Sequence, residues 1–167
     1  MESFVNELIQ QYRTLPLLID TNLLLLLFLG RIDSKRIGTE RTSKYTIDDY
    51  LLLELLIEPF SRLLTTPNIL TEVSNLSGYL KEPLRSRYFR YFSDTAQNLF
   101  EVYSPSGAIS QSDAFIRLGL TDAGILYLLN QEKCLVLTDD LDLYVLISSS
   151  GFDAISFTHL RETYLGL

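Results

Sequence analysis

The chain has 167 residues, and its 21 acidic side chains outnumber its 14 basic ones, giving a formal net charge of -7 at pH 7. This balance excludes a protein that coats duplex nucleic acid or an anionic membrane through bulk positive charge. One cysteine (Cys134) and one histidine (His159) exclude an intrachain disulfide, a cysteine-built zinc site and a histidine-rich metal centre. Carboxylates must therefore carry most of any metal binding or acid–base chemistry.

With hydrophobic residues at 47%, the chain can bury a full core, and we predict one domain over residues 1–167. The most apolar stretch, residues 15–29, is interrupted by Asp20 and Asn22 and is shorter than the roughly 20 residues of a membrane span. The first residues include Glu2 and lack the basic region of a signal peptide. We therefore predict a cytoplasmic protein with no membrane partner.

In the first part of the chain, a short amphipathic helix, a buried strand and a second helix are predicted in succession. They are helix 4–12, strand 16–20 and helix 22–29, with Gly30 ending the second helix. Residues 31–44 are polar and are interpreted as an exposed loop, and residues 48–63 regain helical periodicity. We interpret residues 31–63 as an inserted loop and helix.

The same alternation continues in the rest of the chain. Strand 63–66 leads into Thr66 and Pro67, a capping hydroxyl followed by proline at the first helical position. The remaining predicted elements are helices 66–76, 82–100, 121–130 and 141–148, a helix opened by a capping box at Ser110–Asp113, and strands 134–138 and 154–157. Short apolar strands that alternate with helices indicate an α/β fold with a parallel sheet.

Several carboxylates stand where predicted strands end. Asp20 ends the first strand, and Asp139, Asp140 and Asp142 follow strand 134–138 with no basic residue between them. Ligands of an open parallel sheet bind at the carboxyl ends of its strands. Because packed like charges are costly unless a cation lies between them, these acids favour a cation site, and oxygen ligands select Mg²⁺ or Mn²⁺ over zinc.

Each acid also has a purely structural interpretation. Asp20 can act only as a helix N-cap, and one of the acids after strand 134–138 can cap the last helix. Asp122 can be a first-turn residue favoured by the helix dipole, and Glu72 can be a solvated helix residue. These interpretations explain each residue alone, but they do not explain the shared position.

Four strings contain these acids in order along the chain. They are LLIDTNLL (17–24), TPNILTEV (66–73), LGLTDA (118–123) and LVLTDDLDL (135–143). Together they resemble the four motifs of the PIN-domain ribonuclease family, which includes small toxins and related metal-dependent nucleases. The resemblance covers the chain from about residue 15 to residue 157.

The resemblance implies roles for particular residues. The implied catalytic and metal-binding quartet is Asp20, Glu72, Asp122 and Asp140, with Asp142 as a fifth metal ligand and Asn22 and Thr138 as accessory polar residues that orient the carboxylates. Asp140 is preferred to Asp139 because the fourth motif of the family has one variable residue between the threonine and the aspartate. The implied cofactor is Mg²⁺ or Mn²⁺, which would activate a water for attack on a phosphodiester.

The resemblance also implies a fold and a function. The expected fold is a PIN-like three-layer α/β/α domain with a short central parallel sheet. The expected function is metal-dependent endoribonuclease activity, in a toxin or a stress or defence effector. Candidate partners are an RNA substrate, an antitoxin-like protein and a second copy of the chain. The alternative is a catalytically inactive PIN-like module that acts in binding or as a scaffold.

Competing enzyme classes lack their motifs in this chain. Asp20-Thr-Asn22 lacks the second aspartate of a haloacid-dehalogenase phosphatase, and neither a P-loop nor a G-x-G-x-x-G follows the first strand. A serine hydrolase would have to use His159, and the chain contains no G-x-S-x-G.

A basic and aromatic stretch is the candidate surface for RNA. Its proposed RNA-binding residues are Arg85, Arg87, Arg90 and Tyr88. Bases that stack on aromatic rings beside phosphate-pairing arginines are a common way to hold single strands. The alternative is that the aromatic rings belong to the core and the charges only solvate the outer face of the helix.

Overall fold

Short strands alternate with helices along the chain in a computed structural model, which describes residues 2–166, with side chains from Phe4 onward. The strands are β1 (Leu17–Ile19), β2 (Leu63–Thr65), β3 (Phe100–Glu101), β4 (Leu135–Thr138) and β5 (Ala154–Ser156). The helices are α1 (Glu2–Tyr12), α2 (Thr21–Asp33), α3 (Ile47–Ile57), α4 (Pro67–Leu76), α5 (Leu84–Ala96), α6 (Ser106–Ile109), α7 (Asp113–Leu118), α8 (Leu120–Leu129), α9 (Leu141–Ser149) and α10 (Phe157–Leu165).

The five strands form one parallel sheet in the order β3-β2-β1-β4-β5. From β1 the chain moves outward through β2 to β3, and it then returns to the other side of β1 to form β4 and β5. The direction therefore reverses between β1 and β4, and in such sheets a ligand crevice opens there at the carboxyl ends of the strands. The predicted α/β class is confirmed, and the arrangement is consistent with three α/β/α layers.

Buried side chains, most of them apolar, make up the central strands β1 and β4 and much of helix α2, which follows β1. Every residue of β1 and β4 is buried, as expected for central parallel strands that are covered on both faces. Residues 23–30 of α2 are all buried as well, so this helix is apolar on every side because it lies inside the fold. Within residues 2–166, none of the helices has the length and apolar content that crossing a bilayer requires.

The predicted end of the second helix at Gly30 is wrong, because α2 continues to Asp33. Gly30 lies inside the helix, where the Tyr50 ring comes close to its main chain. A Cβ built at Gly30 would be 2.3 Å from Cδ2 of Tyr50. Tyr50 belongs to α3, and its hydroxyl donates to Glu54 Oε1 at 2.9 Å. Glu54 in turn accepts two hydrogen bonds from Arg31, at 2.7 and 2.8 Å. The glycine lets α3 pack directly against α2.

The predicted loop over residues 31–44 is mostly exposed, but it is partly ordered by 3-10 turns and by buried anchors. The turns are Ser34–Arg36 and Glu40–Thr42. Ile37 and Thr42 are buried. The Thr42 hydroxyl donates to the carbonyl of Thr39 at 2.9 Å. The segment is therefore packed onto the domain and is not a free loop.

Two predictions for the second half of the chain need correction, and helix α10 was missed. The helix predicted to reach residue 100 ends at Ala96, and Phe100–Glu101 instead form the edge strand β3. The capping box predicted at Ser110 is wrong, because Ser112 is the N-cap of α7 and accepts from the amide of Phe115 at 3.3 Å. Helix α10 was not predicted, and it proves important for the site.

Replacement of Gly30 by alanine should destabilise the protein. The added methyl group meets the Tyr50 ring, and overpacking of this kind costs about 1–3 kcal/mol, more than the roughly 1 kcal/mol that alanine gains in helix propensity. Urea unfolding measures the change. Gly107→Ala is the matched control because a Cβ there has open space within 4 Å, and an equal effect of the two substitutions would contradict the close-approach explanation.

Candidate functional site

Asp20 lies at the carboxyl end of β1, beside the reversal point of the sheet. Its Oδ1 accepts from the amide of Leu23 at 3.0 Å, so Asp20 is the N-cap of α2. Its Oδ2 accepts from the Thr138 hydroxyl and from the amide of Asp139 at 3.0 Å. Because Thr138 and Asp139 are at the end of β4, this one carboxylate ties β1, α2 and β4 together.

The buried hydroxyl of Thr138 connects Asp20 to Asp140. It donates to Asp20 Oδ2 and accepts from the amide of Asp140 at 2.9 Å. Asp140 then caps α9, with its Oδ1 accepting from the amide of Leu143 at 3.0 Å. The Thr138 hydroxyl therefore orients the Asp20 carboxylate and positions the main chain of Asp140.

Glu72 reaches the same region from α4. Its Oε2 accepts from the Thr21 hydroxyl at 3.0 Å, and its Oε1 accepts from the Thr121 hydroxyl at 2.6 Å. Thr21 begins α2 directly after Asp20, and Thr121 lies in the first turn of α8. The two threonines were not singled out from the sequence, although both lie inside the motifs that contain the acids.

Asp122 is close to two other acids. Burial raises the pKa of its carboxyl to about 6, and the negative charges of Asp140 and then Glu72 contribute to the increase. Within residues 2–166, the Asp122 carboxylate accepts no hydrogen bond, and none of the three acids forms an ion pair with a basic side chain. Three like charges therefore share one region with no basic side chain to neutralise them.

Asp20 also has a raised pKa. Burial is the main cause and the charge of Asp139 is the second, and together they raise the Asp20 pKa to about 7. The hydrogen bonds from Thr138, Leu23 and Asp139 act in the opposite direction, because they stabilise the ionised form.

The structure separates Asp139 from Asp140. The Asp139 side chain is only 4% exposed, its Oδ2 is 2.5 Å from the ammonium of Lys44, and the Tyr45 hydroxyl donates to the same oxygen. Asp140 is exposed and interacts electrostatically with Asp122. Asp139 Oδ2 is therefore paired within the chain, while the buried Asp139 Oδ1 has no hydrogen-bond partner among the described residues.

Two further predicted site residues are less closely integrated. Asp142 is exposed in the first turn of α9, and no hydrogen bond or ion pair within residues 2–166 joins it to the four acids. Asn22 is partly buried in the first turn of α2, and no hydrogen bond of the described residues links it to them.

The predicted RNA-binding residues lie on α5, but they differ in exposure. Tyr88 is completely buried against Phe28, so its ring is not available to stack on a base. Arg85 stacks on the Phe89 ring at 4.8 Å. Arg87 donates to the carbonyl of Ile32 at 2.8 Å, and Arg90 is exposed. The core interpretation holds for Tyr88, and the arginines remain on the surface.

The acids gather at three helix N-termini, those of α2, α8 and α9, with Glu72 added from α4. Helix dipoles favour negative charge at these ends. In the present geometry, no group of three or more His, Cys, Asp or Glu side chains in the described part of the chain has the spacing to hold a metal ion.

No family model matches this chain, and no curated protein matches it significantly.

The raised pKa of Asp122 predicts a specific pH dependence of stability. Since its folded pKa of about 6 exceeds its ordinary value of 3.8, the folded state holds the proton more tightly, and stability falls as pH rises from about 4 to about 6. Asp122→Asn should flatten this fall and stabilise the protein at pH 7 by roughly 1–2 kcal/mol after allowance for solvent screening.

Urea unfolding from pH 4.5 to pH 7.5 with a chelator present measures this effect. The matched control is Asp113→Asn, which removes an exposed first-turn aspartate from α7. Identical pH profiles for wild type and Asp122→Asn would show that the Asp122 carboxylate is not in a charge-repelling environment.

Proposed function

We propose that the chain is a PIN-like, metal-dependent endoribonuclease. The observation that carries the proposal is the cluster formed by Glu72, Asp122 and Asp140, which share one region without a basic partner in the described residues. Asp20 is connected to this cluster through Thr138. These acids come from all four of the motifs that resemble those of PIN-domain nucleases.

The position of the cluster supports a ligand site. Asp20 and Asp140 follow β1 and β4, the two strands between which the sheet reverses direction. Open α/β sheets bind ligands in the crevice at this point. The acids therefore lie where the topology favours a ligand site. Helix capping does not by itself explain why Glu72 lies beside them.

The donor set suits a hard, hydrated cation. Carboxylate and hydroxyl oxygens are the ligands that Mg²⁺ prefers, and Mg²⁺ commonly keeps several waters while it is held by one or two carboxylates. Such a cation does not need a closed cage of protein ligands. The Asp122 carboxylate is partly buried and accepts no hydrogen bond from residues 2–166, so a bound cation would stabilise its charge. When bound, Mg²⁺ or Mn²⁺ would supply water activation and charge neutralisation at a phosphodiester.

The chain's own residues would position this chemistry. Thr138 holds the Asp20 carboxylate and the Asp140 amide in a fixed relation. Thr21 and Thr121 hold both oxygens of Glu72, so that its carboxylate is oriented although the residue is exposed. RNA is the proposed substrate because of the motif resemblance and because α5 presents surface arginines, including Arg85 over the Phe89 ring.

A second candidate function has its own support. Asp20 and Asp140 are both helix N-caps, so the fold alone gives a reason to keep an acid at each position. A PIN-like module that binds a partner without catalysis would need no more than this. The two candidates differ in their dependence on Asp122, which caps no helix.

A cleavage assay tests the proposal. Wild-type protein should cleave single-stranded RNA only when Mg²⁺ or Mn²⁺ is present, and Asp122→Asn or Asp140→Asn should lower the rate by about 100-fold or more, since even residues that only orient ligands contribute 10–100-fold. Asp113→Asn is the control and should cleave at the wild-type rate. Metal-independent cleavage, or full activity in both site variants, would contradict the proposal, and absence of any cleavage would favour the binding module.

A further inference from the structure

Lys44 lies over the turn that connects β4 to α9. Its ammonium is 2.5 Å from Asp139 Oδ2 and 5.1 Å from the centre of the Tyr45 ring. The Lys44 side chain is 51% exposed, whereas that of Asp139 is 4% exposed. One end of this ion pair is therefore fixed inside the protein, and the other end is open to solvent.

The main chain of Lys44 is held in place by a partly buried ion pair. Arg161 of α10 donates from Nη2 to the Lys44 carbonyl at 3.1 Å. It also donates to both oxygens of Asp49, at 2.5 and 3.0 Å, and Asp49 is completely buried. Asp49 accepts in addition from the amide of Thr46 at 2.7 Å. Asp49 and Thr46 form the capping box of α3, so Arg161 connects the start of this helix to the main chain of residue 44.

The visible effect of this arrangement is to hold residues 44 and 45 against Asp139. Burial and then the charge of Asp139 raise the pKa of Tyr45 far above its ordinary value, so its hydroxyl remains a donor to Asp139. The Asp139 amide donates to Asp20, and Asp140 is the next residue. Lys44 thus places a positive charge on Asp139, the residue next to Asp140 of the carboxylate cluster. It is the one basic residue in the described part of the chain that forms an ion pair with this turn.

We propose that Lys44 is a substrate-binding residue that pairs with a backbone phosphate of a single-stranded RNA beside the carboxylate cluster. This inference rests on the proposed ribonuclease function. An ammonium group has three N–H donors, and the contact with Asp139 Oδ2 occupies one of them, so donors of the half-exposed Lys44 remain for a phosphate. The carboxylate cluster repels the negatively charged RNA. The positive charge of Lys44 offsets part of this repulsion where the strand comes closest to the cluster.

The salt dependence of RNA binding tests this role. The probe is a short fluorescein-labelled single-stranded RNA, followed by anisotropy with full-length protein carrying Asp122→Asn to prevent cleavage. Loss of one phosphate contact lowers the slope of log affinity against log salt by about 0.7 for a single strand. We expect Lys44→Gln to produce that change and Lys44→Arg to keep the original slope. Lys35→Gln, at an exposed lysine of the same segment, should also keep it.

A structural role for Lys44 predicts a different result. If Lys44 only neutralises Asp139, Lys44→Gln lowers the melting temperature and leaves the salt slope unchanged, which would overturn the proposal. Lys44→Gln combined with Asp139→Asn removes both charges, so a foldable protein remains for the measurement, and its slope should fall by the same amount. If the reference protein binds no RNA at any salt concentration, the ribonuclease proposal itself fails, and that outcome is distinct from an unchanged slope.

Discussion

The hydrogen bond from the buried Thr138 hydroxyl to the Asp20 carboxylate is the interaction on which the candidate site depends. It joins the ends of β1 and β4, the two strands between which the sheet changes direction. The same hydroxyl accepts from the Asp140 amide, so the start of α9 is placed relative to the start of α2. A single buried polar contact therefore determines where two helix N-termini, and the acids that cap them, lie.

The acids of the site stabilise the folded state in one way and destabilise it in another. Capping by Asp20 and Asp140 satisfies amides at the starts of α2 and α9. Burial and mutual repulsion act in the other direction, and they raise the pKa of Asp20 and of Asp122. Helix capping alone does not account for a half-buried Asp122 near Glu72 and Asp140. Residues that destabilise a fold without an evident structural gain are commonly found at functional sites.

Local signals in the sequence correctly predicted those features that depend on a few neighbouring residues. The apolar run of β4, the Thr66–Pro67 helix start and the interpretation of Asp20 as an N-cap are examples. The sequence also indicated that one of the acids after β4 caps the next helix, and the structure shows that this acid is Asp140. The shared position of the acids followed from one general rule about parallel sheets. The assignment of Asp140 in preference to Asp139 comes from the motif and stays a prediction; the structure pairs Asp139 Oδ2 with Lys44 and Tyr45.

Features that depend on long-range contacts could not be predicted from the same signals. The role of Gly30 requires knowledge that Tyr50 packs against it. The two-residue strand β3 has no periodicity of its own and forms because β2 offers a free edge. The polar segment before Tyr45 resembles an ordinary loop, and only its pairing with Arg161 and Asp139 reveals that it borders the site.

The measurement that most directly tests the central claim is thermal melting of the metal-free protein against added Mn²⁺. A cation that binds the folded state stabilises it by RT ln(1 + [L]/Kd), or about 2.7 kcal/mol at a concentration of 100 Kd. The wild-type midpoint should rise with Mn²⁺ concentration. Asp122→Asn should melt higher than wild type without metal and respond little to it. A wild-type midpoint that stays constant up to millimolar Mn²⁺, with no difference between the two proteins, would contradict a cation site formed by these acids.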